Sequence, residues 1–347
     1  MCQSAPDQSR WSVSALRPTR PPPGPAREGI LVRAIQIAEF GGPEVMCLVD
    51  VPSPRAEGDS AVVDVSSAGI NYADTHQVED TYLSRSVLPL IPGTEVVGAL
   101  PDGQRVAGFT RSGAYAEQAL VHPDESFAVP EGVSDGQALA LLVQGLTAWH
   151  LLRTSTHLIP GESIVVHAAA GGVGSLAVQL AKAWGAGRII GVASTEEKRA
   201  LAESLGADAT VDSRDPDLSG ALQEANGGRV DVVLEMAGGD TFGRSLAALG
   251  PFGRIATFGA ASGKGPRPVH PAVLMLRSQT VVGFWLANCS GRTEMLKPQM
   301  MELLAMVKAG SLLPQIGGVY PLPDAHRAHR ALRNRSSSGK LILDCRT

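Results

Sequence analysis

The chain has 347 residues, of which 44% are hydrophobic and 18% are charged. These values are typical of a soluble globular protein that is long enough for two domains with cores of their own. The formal net charge of −4 argues against nucleic acid and acidic membranes as partners. No run of about 18 uninterrupted apolar residues is present, so no membrane span is expected.

Cysteine usage is typical of a reducing compartment. The chain has four cysteines, Cys2, Cys47, Cys289 and Cys345, which form no C-x-x-C pair and no tight Cys/His spacing. A disulfide framework and a structural zinc site are therefore both disfavoured. We expect free thiols and a cytoplasmic location.

Residues 1–31 form an N-terminal extension that is rich in Pro, Ser and Arg. A segment of this composition buries too little apolar surface to order itself, so we expect it to be disordered. It lacks the apolar core of a secretory signal. The folded part is expected to begin at Val32, which leaves open whether translation starts there.

Residues 32–150 contain short strands separated by turn signals. Strands are predicted over 34–37, 61–65, 96–100 and 105–109. Pro101, Asp102 and Gly103 form a tight turn between the last two strands. This pattern predicts an all-β domain that ends in a helix over 138–153.

Residues 151–290 show helices that alternate with apolar strands. The strands are predicted over 164–167, 188–192, 230–235, 254–258 and 280–284. This alternation indicates an α/β domain with a doubly wound parallel sheet. From residue 291 to 347 we expect helices over 302–308 and 325–333, followed by a strand over 340–343 that returns to the β-domain.

The segment 168–174 (AAAGGVG) lies between the first of these strands and a helix. Small residues at such a turn let backbone N–H groups approach a diphosphate at the helix N-terminus. Ala169 replaces the first glycine of the G-x-G-x-x-G pattern. We predict a dinucleotide site; the alternative is that the glycines serve only close packing. The residues predicted to bind the cofactor are Ala170, Gly171, Gly172, Val173 and Gly174.

The end of the next strand favours NADPH over NADH. Ala193 occupies the position where an NAD site needs a carboxylate for the ribose hydroxyls. Ser194, Lys198 and Arg199 follow, and such groups can hold a 2′-phosphate. The alternative for the two cations is an ordinary solvated helix face.

Several motifs, in order along nearly the whole chain after residue 32, carry a family resemblance. They are 69–75 (GINYADT), 88–95 (LPLIPGTE), 113–117 (GAYAE), 144–148 (QGLTA), 168–174 and 339–341 (GKL). They resemble the zinc-free quinone oxidoreductase branch of the medium-chain dehydrogenase/reductase superfamily. The resemblance implies a GroES-like β-barrel domain plus a Rossmann domain, NADPH between them, and a homodimer joined through the Rossmann sheets.

The residues that hold catalytic zinc in related enzymes are missing. Where those enzymes have G-H-E, this chain has Gly93, Thr94 and Glu95, and no cysteine lies between Cys47 and Cys289. No metal is therefore expected. Without a Lewis acid, the site suits electrophiles that accept hydride directly, such as a quinone or an α,β-unsaturated carbonyl.

The resemblance also implies catalytic residues. Asn71 matches a position near the nicotinamide and could donate a hydrogen bond to the reducible oxygen; the alternative is an Asx-turn. Asp74 lies in the same loop. His76 replaces a tyrosine of many relatives and is a candidate proton donor, while Tyr82 matches a second tyrosine. Thr147 is expected to place a hydroxyl near the nicotinamide.

Further cofactor contacts are implied beyond the glycine-rich turn. Phe258 and Gly259 end a strand beside the expected ribose, and Phe284 and Trp285 could line the cleft or the dimer edge, with ordinary core packing as the alternative. Two C-terminal residues, Arg335 and Lys340, resemble positions that reach the cofactor phosphates.

The predicted function is an NADPH-dependent oxidoreductase that transfers hydride to a quinone or enone without metal. One alternative is an enoyl or alkenal reductase of a biosynthetic pathway, because the same fold and cofactor serve both. The other is a non-catalytic NADPH-binding protein that binds RNA. The acidic net charge counts against the RNA-binding alternative.

Overall fold

A computed structural model describes residues 29–56 and 58–347. Most of the extension for which disorder is expected lies outside these residues, and Leu31 already belongs to the first strand. In the part of the chain that is described, no helix is both long and apolar enough to cross a membrane.

The strands and helices follow in chain order. The strands are β1 (Leu31–Gln36), β2 (Cys47–Pro52), β3 (Ala61–Ile70), β4 (Glu95–Ala99), β5 (Arg105–Phe109), β6 (Gln118–Val121), β7 (Ser126–Ala128), β8 (Ser163–His167), β9 (Arg188–Ala193), β10 (Ala209–Asp212), β11 (Val230–Glu235), β12 (Leu249–Thr257), β13 (Thr280–Gly283), β14 (Ile316–Pro321) and β15 (Lys340–Asp344). The α-helices are α1 (Tyr72–Val78), α2 (Asp135–Ala140), α3 (Leu146–His150), α4 (Gly172–Ala183), α5 (Glu196–Ser204), α6 (Leu218–Asn226), α7 (Gly239–Ala248), α8 (Pro271–Met275), α9 (Lys297–Lys308) and α10 (Ala325–Arg333).

Six strands form a parallel sheet in the order β10-β9-β8-β11-β12-β13. Its central strands are rich in Val and Ile because helices cover both faces of such a sheet. Val165, Ile190, Val233 and Ile255 are buried in one cluster on this sheet. The predicted doubly wound Rossmann sheet is confirmed.

A second sheet has the order β14-β15-β3-β4-β5-β7, with β6 also paired to β3. Its pairs are antiparallel except for β14 and β15. The C-terminal strand β15 pairs with β3, Leu341 opposite Ile70, so the predicted return to the β-region is confirmed. Together the two sheets form the GroES-like plus Rossmann architecture.

The segment between the two sheets differs from the single helix predicted over 138–153. The α-helical pieces α2 and α3 alternate with π-helical turns at Leu141–Gly145 and Leu151–Ser155. Within the first π turn, the Val143 N–H donates to Glu95 Oε2 at 2.8 Å. The Glu95 side chain on β4 thus binds a backbone group of the widened π turn. The periodicity of residues 138–153 does not reveal this long-range contact.

Candidate cofactor and active site

The glycine turn, residues 168–174, joins β8 to α4. Ala168 has φ +50° and accepts a hydrogen bond from the Gly171 N–H at 2.7 Å. A Cβ on Gly174 would collide with the Ala168 carbonyl oxygen, so glycine is required there. Gly171 is the N-cap residue of α4, and no side chain among the described residues caps the first N–H groups of this helix. This backbone cradle fits a diphosphate.

The C-terminal loop pairs directly with the glycine turn. The Gly339 N–H donates to the Ala170 carbonyl at 2.9 Å, and Gly171 and Gly339 form a parallel bridge. The same loop carries Arg335, whose guanidinium donates to the Ala261 carbonyl at 3.1 Å. Two segments far apart in sequence therefore meet at the predicted phosphate site.

Lys198 joins this group from α5. Its Nζ donates to the Arg335 backbone carbonyl at 2.6 Å, which places Lys198 against the C-terminal loop, and Ser194 comes directly after β9. Burial and the nearby Arg335 charge lower the pKa of Lys198. An anion between these cations would offset their mutual repulsion, as a 2′-phosphate would.

Arg199 lies beside the same strand end. Its guanidinium forms an ion pair with Asp212 at 3.1 Å and donates to the Ala193 carbonyl at 3.4 Å. Asp212, the last residue of β10, also binds Arg214 at 2.9 Å, so one carboxylate is shared by two guanidinium groups. The predicted phosphate role of Arg199 therefore stays a prediction.

A buried group of polar side chains, here called the amide cluster, comprises Asn71, Glu95, Gln144 and Lys340. Asn71 Nδ2 donates to Glu95 Oε1 at 2.7 Å, and Asn71 Oδ1 accepts from Lys340 Nζ at 3.0 Å and from Gln144 Nε2 at 3.4 Å. Lys340 and Glu95 form an ion pair with no exposed surface.

This cluster bears on two expectations. Lys340 Nζ donates to Asn71 and pairs with Glu95, and its predicted role as a phosphate ligand stays a prediction. The side-chain amide of Asn71 bonds within the cluster, while Asn71 is also the N-cap residue of α1, so the catalytic and turn interpretations both stay open. Glu95 was missed as a functional residue, although it lies in the segment compared with G-H-E. Its burial next to a lysine is a tertiary feature.

Asp74 is also enclosed by protein groups. It accepts from the Asn71 N–H at 2.8 Å and from the Tyr115 hydroxyl at 3.0 Å, and that hydroxyl lies 3.0 Å from His329 Nε2. Burial raises the pKa of Asp74 to about 7 and lowers that of His329 to about 4. Asp74 thus holds the start of α1 through a buried carboxylate, and its assignment as a catalytic residue stays a prediction.

His76 belongs to α1 and Tyr82 follows that helix, and the two side chains have different partners. His76 Nδ1 lies 2.7 Å from Thr81 Oγ1, and burial lowers the pKa of the imidazole. The Tyr82 hydroxyl accepts from Trp285 Nε1 at 2.8 Å, which brings Trp285 to the catalytic side. Thr147 is buried on α3, one turn after Gln144.

Two of the aromatic candidates, Phe258 and Phe284, pack against the hydrophobic core. Phe284 stacks on His150 with ring centroids 5.5 Å apart, and both Phe258 and Phe284 pack against the large hydrophobic core. The Phe258 N–H donates to the Glu235 carbonyl at 3.1 Å. Both side chains are only partly buried, so their assignment as cofactor-lining residues stays a prediction. Gly259 follows at the carboxyl edge of the sheet, against Met236.

One unpaired atom indicates that the cluster is built to meet a ligand. Gln144 is buried, yet its Oε1 has no hydrogen-bond partner among the described residues. The Gln144 amide packs against Gly172, where a Cβ would collide with it. Since a buried carbonyl without a donor is costly, the amide cluster and the glycine turn together fit a dinucleotide cofactor.

The chain is similar in sequence to known oxidoreductases. Residues 172–306 match the family model for zinc-binding dehydrogenases. The chain is 31% identical over 327 residues to the quinone oxidoreductase of Pongo abelii, which covers 90% of this chain and 98% of that protein. The chain belongs to the quinone oxidoreductase family. The resemblance drawn from the motifs is thereby confirmed.

Solved structures of the family agree with the fold. The quinone oxidoreductase of Escherichia coli complexed with NADPH superposes with a TM-score of 0.84 at 33% identity. That of Thermus thermophilus, also studied as an NADPH complex, gives 0.81 at 36%. Each comparison covers 90% of this chain and 99% of the other. In the part of this chain that is described, no three His, Cys, Asp or Glu side chains are grouped as a metal site.

Proposed function

We propose that this protein is an NADPH-dependent oxidoreductase that reduces quinones without a metal. The observation that carries the proposal is the spatial order of its polar groups. The pair Lys198 and Arg335 lies at one end, the glycine turn in the middle, and the amide cluster with Thr147 at the other end. This order matches a phosphorylated ribose, a diphosphate and a nicotinamide in sequence.

NADPH, when bound, supplies a hydride from its nicotinamide ring. The N–H groups at the start of α4 would hold its diphosphate, and Lys198 and Arg335 would hold its 2′-phosphate. Asn71 retains a second Nδ2 hydrogen beyond the one given to Glu95, and this hydrogen orients the reducible oxygen. Catalysis then rests on holding two planar partners together away from water.

Protons reach the product from water or from His76. His76 Nδ1 is engaged by Thr81, so Nε2 is the ring nitrogen left for proton transfer. A quinol oxygen is a weak base and takes protons readily from solvent, so the enzyme needs little acid catalysis for quinones. We propose His76 as a donor only for substrates whose carbon must be protonated.

A substrate screen tests the function. Oxidation of NADPH is followed by absorbance with quinones, enals and enoyl thioesters, and the highest kcat/KM is expected with a quinone. Fastest turnover of an enoyl thioester would instead favour the biosynthetic reductase. Absence of turnover together with salt-sensitive RNA binding would favour the non-catalytic alternative. The relatives named above are quinone oxidoreductases, which supports the first outcome.

We also propose a homodimer formed along β13. This strand lies at the edge of the parallel sheet, and its outer side pairs with no strand among the residues that the structure describes. Exposed apolar side chains flank it: Phe252 is 74%, Met275 78% and Leu276 85% exposed. An edge strand next to an apolar patch favours pairing with a second copy. Replacing Leu276 with Glu should yield monomers by light scattering, while a dimer in that variant would count against this interface.

A cytoplasmic location is proposed as well, since NADPH is regenerated inside cells. The scattered cysteines Cys47, Cys289 and Cys345 are all free in the structure, as expected in a reducing compartment. Fractionation of cells that express the full chain would check this location directly.

A further inference from the structure

We infer that Glu95 and Lys340 form a positioning pair, which holds the Asn71 side-chain amide in one orientation for the reaction. The inference deepens the proposed function and rests on it. Both side chains are completely buried, and each also contacts Asn71. The pair is therefore part of the buried site around Asn71.

The chemistry of the pair permits only one orientation of the amide. An ammonium group can only donate hydrogen bonds, and a carboxylate can only accept them. Lys340 contacts the carbonyl end of Asn71 and Glu95 contacts its NH2 end. A flipped amide would place NH2 against the ammonium and oxygen against the carboxylate. The second Nδ2 hydrogen therefore always has the same direction.

Glu95 extends this control to the neighbouring π turn. Its second oxygen, Oε2, accepts from the Val143 N–H at 2.8 Å. The next residue, Gln144, donates to Asn71 Oδ1 and packs against Gly172 at the start of α4. One carboxylate thus links the Asn71 amide to the turn that carries Gln144 and to the glycine turn.

The backbone makes room for this carboxylate. A Cβ at Gly69 on β3 would collide with the Glu95 side chain, so the strand next to it needs a glycine. Gly69 lies two residues before Asn71, and β15 reaches the same place through its pairing with β3. Strands β3, β4 and β15 therefore meet at one buried ion pair, and this pair fixes the direction of the Asn71 amide.

The test compares Lys340→Met, Glu95→Gln and the double variant Glu95→Gln/Lys340→Met. Each single change leaves a buried group without its partner, so both should unfold at clearly lower temperature than the wild type. The double variant has no uncompensated charge and should recover most of the thermal stability. An exposed ion pair, Asp324 and Arg327, supplies the matched control Asp324→Asn/Arg327→Met, expected to behave as wild type.

The decisive measurements are made on the double variant. We expect NADPH affinity within about threefold of wild type by fluorescence titration, and kcat for a quinone reduced at least tenfold. Retention of full kcat would show that the pair is merely structural. A tenfold loss of NADPH affinity with kcat unchanged would assign Lys340 to the phosphates and overturn the inference.

A readout that needs no turnover separates this inference from the proposed function. By side-chain amide NMR, the Nδ2 hydrogens of Asn71 should exchange slowly with water in the wild type, because the NH2 group is held in the buried cluster, and this exchange should quicken at least tenfold in the double variant. Unchanged exchange would overturn the inference even in an active enzyme. Conversely, a wild type that fails to reduce quinones but shows the exchange contrast would refute only the proposed function.

Discussion

The two ends of the proposed cofactor site are held by different kinds of interaction. At the phosphate end, the backbone of the glycine turn and two partly exposed cations, Lys198 and Arg335, supply the contacts. At the nicotinamide end, the contacts come from the fully buried amide cluster. Exposed charges are screened by water, whereas buried polar groups must be completely matched. The first end should therefore tolerate side-chain changes that the second does not.

The largest effect at the phosphate end should come from the backbone. In Gly174→Ala the new Cβ meets the Ala168 carbonyl and the Ala169 backbone, neither of which can move freely. We expect a loss of about 1–3 kcal/mol in the free energy of unfolding, together with loss of NADPH binding. Gly243→Ala is the control, because that helical glycine faces open space and alanine should be neutral or stabilising. Denaturant unfolding measures both; equal stability of the two variants would contradict the close approach.

Three buried titratable groups outside the amide cluster, Asp74, His329 and His167 at the end of β8, should set the pH dependence of stability. Burial raises the pKa of Asp74 to about 7 from 3.8, while it lowers the pKa of His167 and of His329 to about 4 from 6.5. Lys340 and Glu95 act on Asp74 in opposite directions. Between these values folded Asp74 holds a proton that unfolded Asp74 has lost, so its contribution falls as pH rises from about 4 to 7. The two histidines do the reverse, and their contribution rises up to pH 6.5.

Asp74→Asn removes the contribution of Asp74 to the free energy of unfolding, which opposes that of the two histidines. From pH 4.5 to 6 the free energy of unfolding should rise more steeply with pH in this variant, by about 1.4 kcal/mol per pH unit. Urea titrations at several pH values provide the measurement. Parallel curves for variant and wild type would show that Asp74 titrates in the folded protein as it does in the unfolded chain.

A side-chain change at the phosphate end should have a selective effect. Lys198→Ala should weaken NADPH binding about tenfold, or about 1.4 kcal/mol, and leave NADH binding unchanged, because only the 2′-phosphate differs. Lys182→Ala, which removes an exposed lysine paired with Asp208, serves as the control. Equal weakening of both dinucleotides in fluorescence titrations would place Lys198 outside the 2′-phosphate site.

The smallest effect is expected from chelation. Thr94 stands where the metal-dependent relatives have histidine, and a hydroxyl is a poor zinc ligand beside thiolate or imidazole. Quinone reduction should retain its full rate after exhaustive treatment with a chelator, checked by metal analysis of the same sample. A rate that falls on zinc removal and returns on zinc addition would refute the metal-free reaction.

The local parts of the site were accessible from the sequence. The strand, small-residue turn and helix around Gly171 follow one another within the chain, and Ala193 with Lys198 lies in the next unit. Such features depend on backbone conformation and on neighbours a few residues apart. Arg199 shows where this reasoning stops, because its ion pair joins α5 to Asp212 at the end of β10, a contact that the residues around Ala193 do not indicate.

The sequence by itself determined the parallel sheet, the glycine turn, the family and NADPH as the cofactor, because periodicity and turn chemistry act over short stretches of chain. Only the tertiary structure decided that Lys340 turns to Glu95 and Asn71, which are 245 and 269 positions away, and that Phe284 packs on His150. A buried charge takes the partner that folding brings to it, since burial without one is too costly. That partner is set by the pairing of β15 with β3.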